Sequence, residues 1–148
     1  MDNRRDKNTM YGKDIAERLV DPNLNTFDKF LDFDIIKAEE NHSELSMLVT
    51  QQLLNVGDVM HGGAALTLAD CTMGMAVKYL DEPYITMDVN YHFLRSAVLG
   101  ERIRAVGDVV KLGKTTIVTE ATLYNEKDQP IGKATGSFYR LNAKRHLD

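Results

Sequence analysis

An α+β fold is what this chain predicts: a single antiparallel sheet of about five to six strands wrapped around one long central helix. Three observations carry that expectation. The stretch from His61 to Leu80 is the longest with helical character, roughly 30 Å at 1.5 Å per residue. Four segments that alternate apolar and polar residues follow it. The turns between them are short, which favours antiparallel neighbours. A sheet and a helix that each carry one apolar face are most economically buried against each other as two layers.

The elements are expected in the following order. Tyr11 to Val20 reads as a short helix with Ile15 and Leu19 at i, i+4, ended by Asp21-Pro22-Asn23. Thr26 to Leu31 reads as a further helical turn. Phe33 to Glu40 and Glu44 to Leu54 read as two strands joined near Asn41-His42-Ser43. The helix from His61 ends before Asp81-Glu82-Pro83. Ile85, Met87, Val89, Tyr91 and Phe93 then alternate with Thr86, Asp88, Asn90 and His92, the clearest period-two pattern in the chain. Glu101 to Lys111, Thr115 to Asn125 and Ile131 to Leu141 complete the set. In the last of these, Gly132, Ala134 and Gly136 share a face on which a helix could approach closely. No repeat or second domain is visible, so residues 1–148 read as one domain with residues 1–30 as an N-terminal helical extension.

Composition narrows the class. With 148 residues, 43% apolar and 27% charged, the chain is long enough for a real core and ordinary for a globular protein. The formal net charge of −4 argues against general nucleic-acid binding. Cys71 is the single cysteine, which excludes an internal disulfide and fits the cytoplasm. Met1 to Asn8 is charged without an apolar core, so no signal peptide is expected. No apolar run reaches the roughly 20 residues needed to span a bilayer, so no membrane partner is expected.

The chemistry concentrates at the start of the long helix. Asn55-Val56-Gly57-Asp58-Val59-Met60-His61-Gly62-Gly63 leads into an apolar stretch that holds one carboxylate, Asp70. Placed at about 100° per residue, Gly62, Leu66, Ala69, Met73, Val77 and Leu80 form the core stripe. Asp70 falls about 80° from its centre, on a flank of small residues with Gly63, Thr67 and Gly74. A mid-helix Asp is often only solvated or ion-paired. Here positions 66, 67, 73 and 74 are Leu, Thr, Met and Gly, so no helical salt bridge explains it. Backbone amides at a helix start can hold a developing negative charge. An acid and amide donors together make a minimal hydrolase. His42, His61, His92 and His146 show no metal-ligand spacing, so no metal is expected.

Asn55-x-Gly57-x3-His61-Gly62-Gly63-x6-Asp70, followed by Asp88 to Ala97 and by Val110 to Thr115, resembles the hotdog-fold acyl-CoA thioesterases of the phenylacetate-pathway type. The resemblance spans roughly residues 30–141. It implies a long helix wrapped by an antiparallel sheet, a homodimer that pairs into a homotetramer, and an active site at the dimer interface. By it, the Gly62 amide polarises the thioester carbonyl, His61 shapes the turn, and Asp70 from the partner subunit serves as general base or nucleophile. Asn55 orients the water or the leaving thiolate, and Thr86 helps hold the water. Gly63, Arg95, Ser96, Lys111, Gly113, Lys114 and Thr115 match the regions that hold coenzyme A. Ser96 stands where that family commonly has Pro. No cofactor is implied, coenzyme A being part of the substrate.

Two other readings fit the same fold. A non-catalytic acyl-CoA sensor would carry a DNA-binding domain and usually lack the acid. The first 30 residues are too short and too weakly basic for such a domain, and Asp70 is present. A dehydratase of this fold would have a His a few residues after the Asp on the same helix. Cys71, Thr72, Met73 and Gly74 follow instead.

Overall fold

The structure, a computed structural model, describes residues 21–78 and 84–141. The helix expected at Tyr11–Val20 and the end of the long helix at Leu80 lie outside the described residues. A short helix, α1 (Phe27–Leu31), comes first, with Thr26 as its N-cap and Asp28 in its first turn. The long helix is α2 (Gly62–Val77), capped by His61. Six strands, β1 (Asp34–Glu39), β2 (His42–Leu48), β3 (Tyr84–Phe93), β4 (Arg102–Leu112), β5 (Thr116–Tyr124) and β6 (Pro130–Arg140), form one sheet in the order β1-β2-β4-β5-β6-β3. Every pairing is antiparallel. This is the architecture expected of the sequence. Among the described residues, no helix is long and apolar enough to cross a membrane.

The core lies between α2 and one face of the sheet. Leu45, Met47 and Val49 from β2 and the residue after it, Ile103 and Ala105 from β4, Ile117 and Leu123 from β5, and Phe138 from β6 are buried against Leu68, Ala69, Met73 and Val77. A Cβ at Gly136 would come within 3.0 Å of Met73 Cε, so the bare backbone there does admit the helix.

Three local expectations are corrected. The second strand ends at Leu48 rather than Leu54. Residues Gln51–Leu53 turn into a 3-10 helix that still buries Leu53. The buried face of α2 is rotated from the expected stripe toward Ala65, Leu68, Thr72 and Ala76, while Leu66 is only partly covered. Thr72 makes this possible although it is polar. Its hydroxyl donates to Leu68 O at 2.6 Å, and its carbonyl accepts from the Ser43 hydroxyl at 2.6 Å, so its polar atoms are satisfied in the core.

The third correction concerns β3. Thr86 pairs with Phe138 but Asp88 pairs with Ser137, so Met87 is an extra residue in a β-bulge. Side chains alternate with period two, so one inserted residue reverses the facing of everything on one side of it. Ile85 through Phe93 therefore do not form one continuous face. Tyr84 and Thr86 share the helix side with Val89, Tyr91 and Phe93, whereas Ser137 donates to Asp88 on the opposite side.

Candidate active site

Asn55 opens the loop that leads to the helix. Its Oδ1 accepts from Gly57 N–H at 2.8 Å and from Val59 N–H at 3.4 Å, and its own N–H donates to Val59 O at 2.8 Å. The loop is then pinned from outside. Met60 N–H donates to Ala97 O at 2.8 Å, and His61 N–H donates to Leu53 O at 2.7 Å. Since the Asn55 oxygen is committed to the loop, the side chain has its amide N–H group left for the cavity that it lines.

His61 Nδ1 accepts from Gly63 N–H at 2.9 Å, and its carbonyl accepts from Ala64 N–H at 3.0 Å. These two bonds satisfy the second and third amides of α2. The first amide, Gly62 N–H, has no partner among the described residues. His61 is thus a cap that leaves one helix-start donor open. A Cβ at Gly62 would lie 3.0 Å from Phe93 Cε1 and Cζ, so glycine lets the Phe93 ring lie over this amide's residue.

A cavity of about 520 Å³ lies here, lined by Asn55, Gly62, Ala65, Tyr91, Arg95 and Ser96 among others. Arg95 Nη1 donates to Pro130 O at 3.0 Å, which holds its charge at the rim. The Tyr91 ring packs beside Phe93 with centroids 4.5 Å apart, and burial pushes its phenol up to about 12. Neither Tyr91 nor Phe93 stood out in the sequence as a site residue, because each reads as a strand apolar position. Gly63 lies beside the cavity at the cap. Lys111, Gly113, Lys114 and Thr115 do not line it. They form the β4–β5 hairpin, where Gly113 N–H donates to Thr116 O at 3.0 Å. That hairpin lies a whole strand away from the Arg95 end, about 35 Å for the eleven residues of β4.

Asp70 sits in a second cavity of about 190 Å³ with Asp28, Phe33, Cys71, Gly74, Met75, Tyr84, Thr86 and Phe138. Thr86 Oγ1 donates to Asp70 Oδ1 at 3.0 Å, a contact that the bulge at Met87 makes possible. Burial holds the Asp70 carboxyl above its ordinary range. The Thr86 hydrogen bond works against that shift, and the Asp28 charge adds to it. Asp28 was not singled out in the sequence, where it reads as a first-turn acid of a short helix. Cys71, next to Asp70, is partly buried and donates to Asp28 Oδ1 at 3.2 Å.

The Gly62 amide and Asp70 are eight residues apart on one helix, about 12 Å along its axis. One carbonyl group cannot meet both in a single protomer. Asn55, Gly62, Arg95 and Ser96 gather at one end of the molecule, and Asp70 and Thr86 gather toward the other.

A six-stranded antiparallel sheet wrapped on one long helix is the hotdog fold of the thioesterases. The chain belongs to the thioesterase superfamily, whose sequence pattern matches residues 57–131, and it is a thioester hydrolase of the PaaI type. Human acyl-coenzyme A thioesterase 13 is 34% identical over 104 residues, 69% of each chain. The solved structure of the Escherichia coli PaaI protein is 28% identical, covering 77% of this chain and 83% of that one, with a TM-score of 0.75. A Streptococcus mutans protein solved bound to acetyl CoA is 25% identical, covering 85% and 99%, also at a TM-score of 0.75.

Proposed function

We propose that the protein hydrolyses the thioester of an acyl-coenzyme A to free acid and coenzyme A, using Asp70 as general base. The relatives named for acyl-coenzyme A, and the neighbour bound to acetyl CoA, support that substrate class. The observation that carries the reading is the Asp70–Thr86 pair. A carboxylate lifted by burial is a better proton acceptor than an exposed one, and the Thr86 hydroxyl fixes the orientation of one oxygen. The other oxygen takes the proton of a water molecule as that water attacks the thioester carbon. Negative charge gathers on the carbonyl oxygen, and the open Gly62 N–H receives it. The Asn55 amide group steadies the departing thiolate, and Arg95 with Ser96 meets the phosphate end of the coenzyme. Attack by the Asp70 carboxylate itself, through an anhydride, would use the same neighbours.

The second half of the proposal is that two copies share each site. The 12 Å separation within a protomer asks for it, and β3 offers the surface. This ten-residue strand ends the sheet with Ile85, Met87 and Phe93 exposed. The other edge, β1, carries the Lys37–Glu39 and Asp34–Arg102 ion pairs, devices that discourage pairing. Antiparallel pairing of two β3 edges about a two-fold axis joins the Gly62 end of one copy to the Asp70 end of the other. The same axis carries the Lys111–Thr115 hairpin of one copy toward the Arg95 end of its partner. The single cysteine fits a reducing compartment such as the cytoplasm.

The test is release of free thiol from a panel of acyl-CoA thioesters by Asp70→Asn and Asp70→Ala. Loss of more than about a hundredfold in a folded protein is expected. Near-normal turnover in either variant overturns the role of Asp70. Activity that persists undiminished after dilution to a monomer overturns the shared site.

A further inference from the structure

The cavity beside Asp70 contains a residue that thioester hydrolysis does not call for. Phe33, Met75, Tyr84 and Phe138 give it apolar walls, with Tyr84 and Phe138 set edge to face at 5.4 Å between centroids. Asp70 and Thr86 stand at one side. The other polar wall is Asp28, brought in by α1. Asp28 precedes the residues matched to the superfamily, 57–131, so the shared family pattern does not supply it. It is also held in place. Thr26 caps α1 through Lys29 N–H, and the Cys71 thiol donates to Asp28 Oδ1 at 3.2 Å, tying α1 to α2 one residue from Asp70. Among the described residues, no Lys, Arg or His lines this cavity.

We propose that Asp28 is a specificity-determining residue that makes the acyl end of the site select against acyl groups bearing a negative charge. This rests on the reading of Asp70 as the acid of acyl-CoA hydrolysis. Charge sorts the two ends of such a substrate. The polyanionic coenzyme belongs with Arg95 in the larger cavity, and a pocket with two carboxylates and no cation repels it. The smaller cavity is therefore left for the acyl group. Its 190 Å³ admits a short chain or one ring, since a dry pocket of about 150 Å³ already holds benzene. A neutral acyl group gains from leaving water for these walls. An acyl group ending in a carboxylate would bring a third negative charge into a small space of low dielectric.

The titratable groups facing Asp70 in this cavity are Asp28 from α1, Cys71 from α2 and Tyr84 from β3. Burial and the neighbouring carboxylates keep the Cys71 thiol protonated, so among the described residues that line this cavity Asp28 is the charge that acts on Asp70 from another element. The same charge contributes to lifting the Asp70 carboxyl. A second readout follows, because neutralising Asp28 should move the acid limb of the rate profile to lower pH.

The experiment compares Asp28→Asn and Asp28→Glu in the full chain, with glutaryl-CoA and hexanoyl-CoA as probes of similar length and different charge. The quantity read is the ratio of kcat/KM for glutaryl-CoA to that for hexanoyl-CoA. Asp28→Asn should raise this ratio at least tenfold, equivalent to about 1.4 kcal/mol, and Asp28→Glu should keep it near the wild-type value. A ratio unchanged in Asp28→Asn overturns the proposal, and so does an equal rise in both variants, which would mark a packing effect. If Asp28→Asn does not fold, Asp28→Ser is read in the same way. Should Asp70→Asn retain activity, the underlying reading fails. Should Asp70→Asn be inactive while the Asp28→Asn ratio stays put, only the selectivity claim fails.

Discussion

Replacing Gly62 with proline removes the open amide and spares the rest of the helix start. Gly62 is the first residue of α2, the position where proline is best tolerated because its missing N–H is unused by the helix. The residue before a proline must be extended, and His61 already is, at φ −61° and ψ 134°. No hydrogen bond to Gly62 N–H is lost, since it has no partner among the described residues. The steric cost is contact of the new Cβ with Phe93, at 3.0 Å from two ring atoms. Phe93 is 62% exposed and has room to swing. Gly62→Ala brings the same Cβ and keeps the amide, so it is the reference, and the difference between the two variants isolates the donor. Losing one oxyanion donor lowers kcat by about 10²–10³, or about 2.7–4 kcal/mol. The assay is kcat from thiol release at saturating acyl-CoA, with thermal melts to show that both variants fold. A proline variant within tenfold of the alanine variant refutes the assignment. Mixing Gly62→Pro with Asp70→Asn tests the shared site as well. Each pure variant should be inactive, whereas a mixed dimer holds one intact site of two, so an equal mixture should recover about a quarter of wild-type activity. No recovery after demonstrated subunit exchange refutes the division between chains.

Thr86→Val keeps the side-chain shape and deletes the donor to Asp70. A hydrogen bond to a charged group contributes about 1.5–3 kcal/mol, and the lower figure suits this half-covered site, so kcat/KM should fall roughly tenfold. That bond lowers the proton affinity of Asp70, so its loss should move the acid limb to higher pH, and movement to lower pH contradicts the assignment. Gly132→Ala would place a Cβ 1.7 Å from Tyr91 Oη. It should cost about 1–3 kcal/mol by denaturant titration, with partial recovery on adding Tyr91→Ala, and an unchanged midpoint refutes the packing argument. His42 lies 2.6 Å from Asp108 and 3.3 Å from Glu44, and the hydrogen bond to Asp108 leads in raising its pKa above 6.5. A raised folded-state pKa gives stability that is complete below the unfolded value and lost as pH rises through the folded one. The melting temperature should therefore fall above about pH 6.5, by an amount equivalent to at most about 1 kcal/mol, and His42→Gln should flatten that slope. An unaltered slope in the variant sinks the attribution.

What the sequence revealed follows the range over which each contact acts. The cap is local. Asn55 reaches Gly57 and Val59, and His61 reaches Gly63, so spacing alone marked the turn and its glycines. The helix and the last four strands carry periodicities long enough to survive without their partners. The rotation of α2 was hidden because Thr72 counts as polar until Leu68 O and Ser43 are known to satisfy it. Asp28 was hidden for a similar reason, since its link to Cys71 spans 43 residues. Likewise, Gly132 read as room for a helix until the structure placed the Tyr91 hydroxyl there.

The bulge at Met87 shows why the site itself was only half legible. In letters, Ile85 to Phe93 alternate without a fault, and on that pattern Thr86 belongs to the polar face with Asp88. Register is a property of two strands, however, and β6 sets it by pairing Phe138 with Thr86 and Ser137 with Asp88. The added residue turns Thr86 toward α2, where it becomes the donor to Asp70. It also leaves Ile85 and Met87 exposed, at 43% and 55%, on a strand that ends the sheet. Bulges usually protect a sheet edge from further pairing. Here the irregularity occupies one point of a ten-residue strand whose stretch from Asp88 to Phe93 pairs regularly with β6 and leaves its outer edge open. A single inserted residue thus orients the hydrogen-bond donor of Asp70 while leaving a regular outer edge from Asp88 to Phe93, the edge on which the proposed pairing of two copies depends.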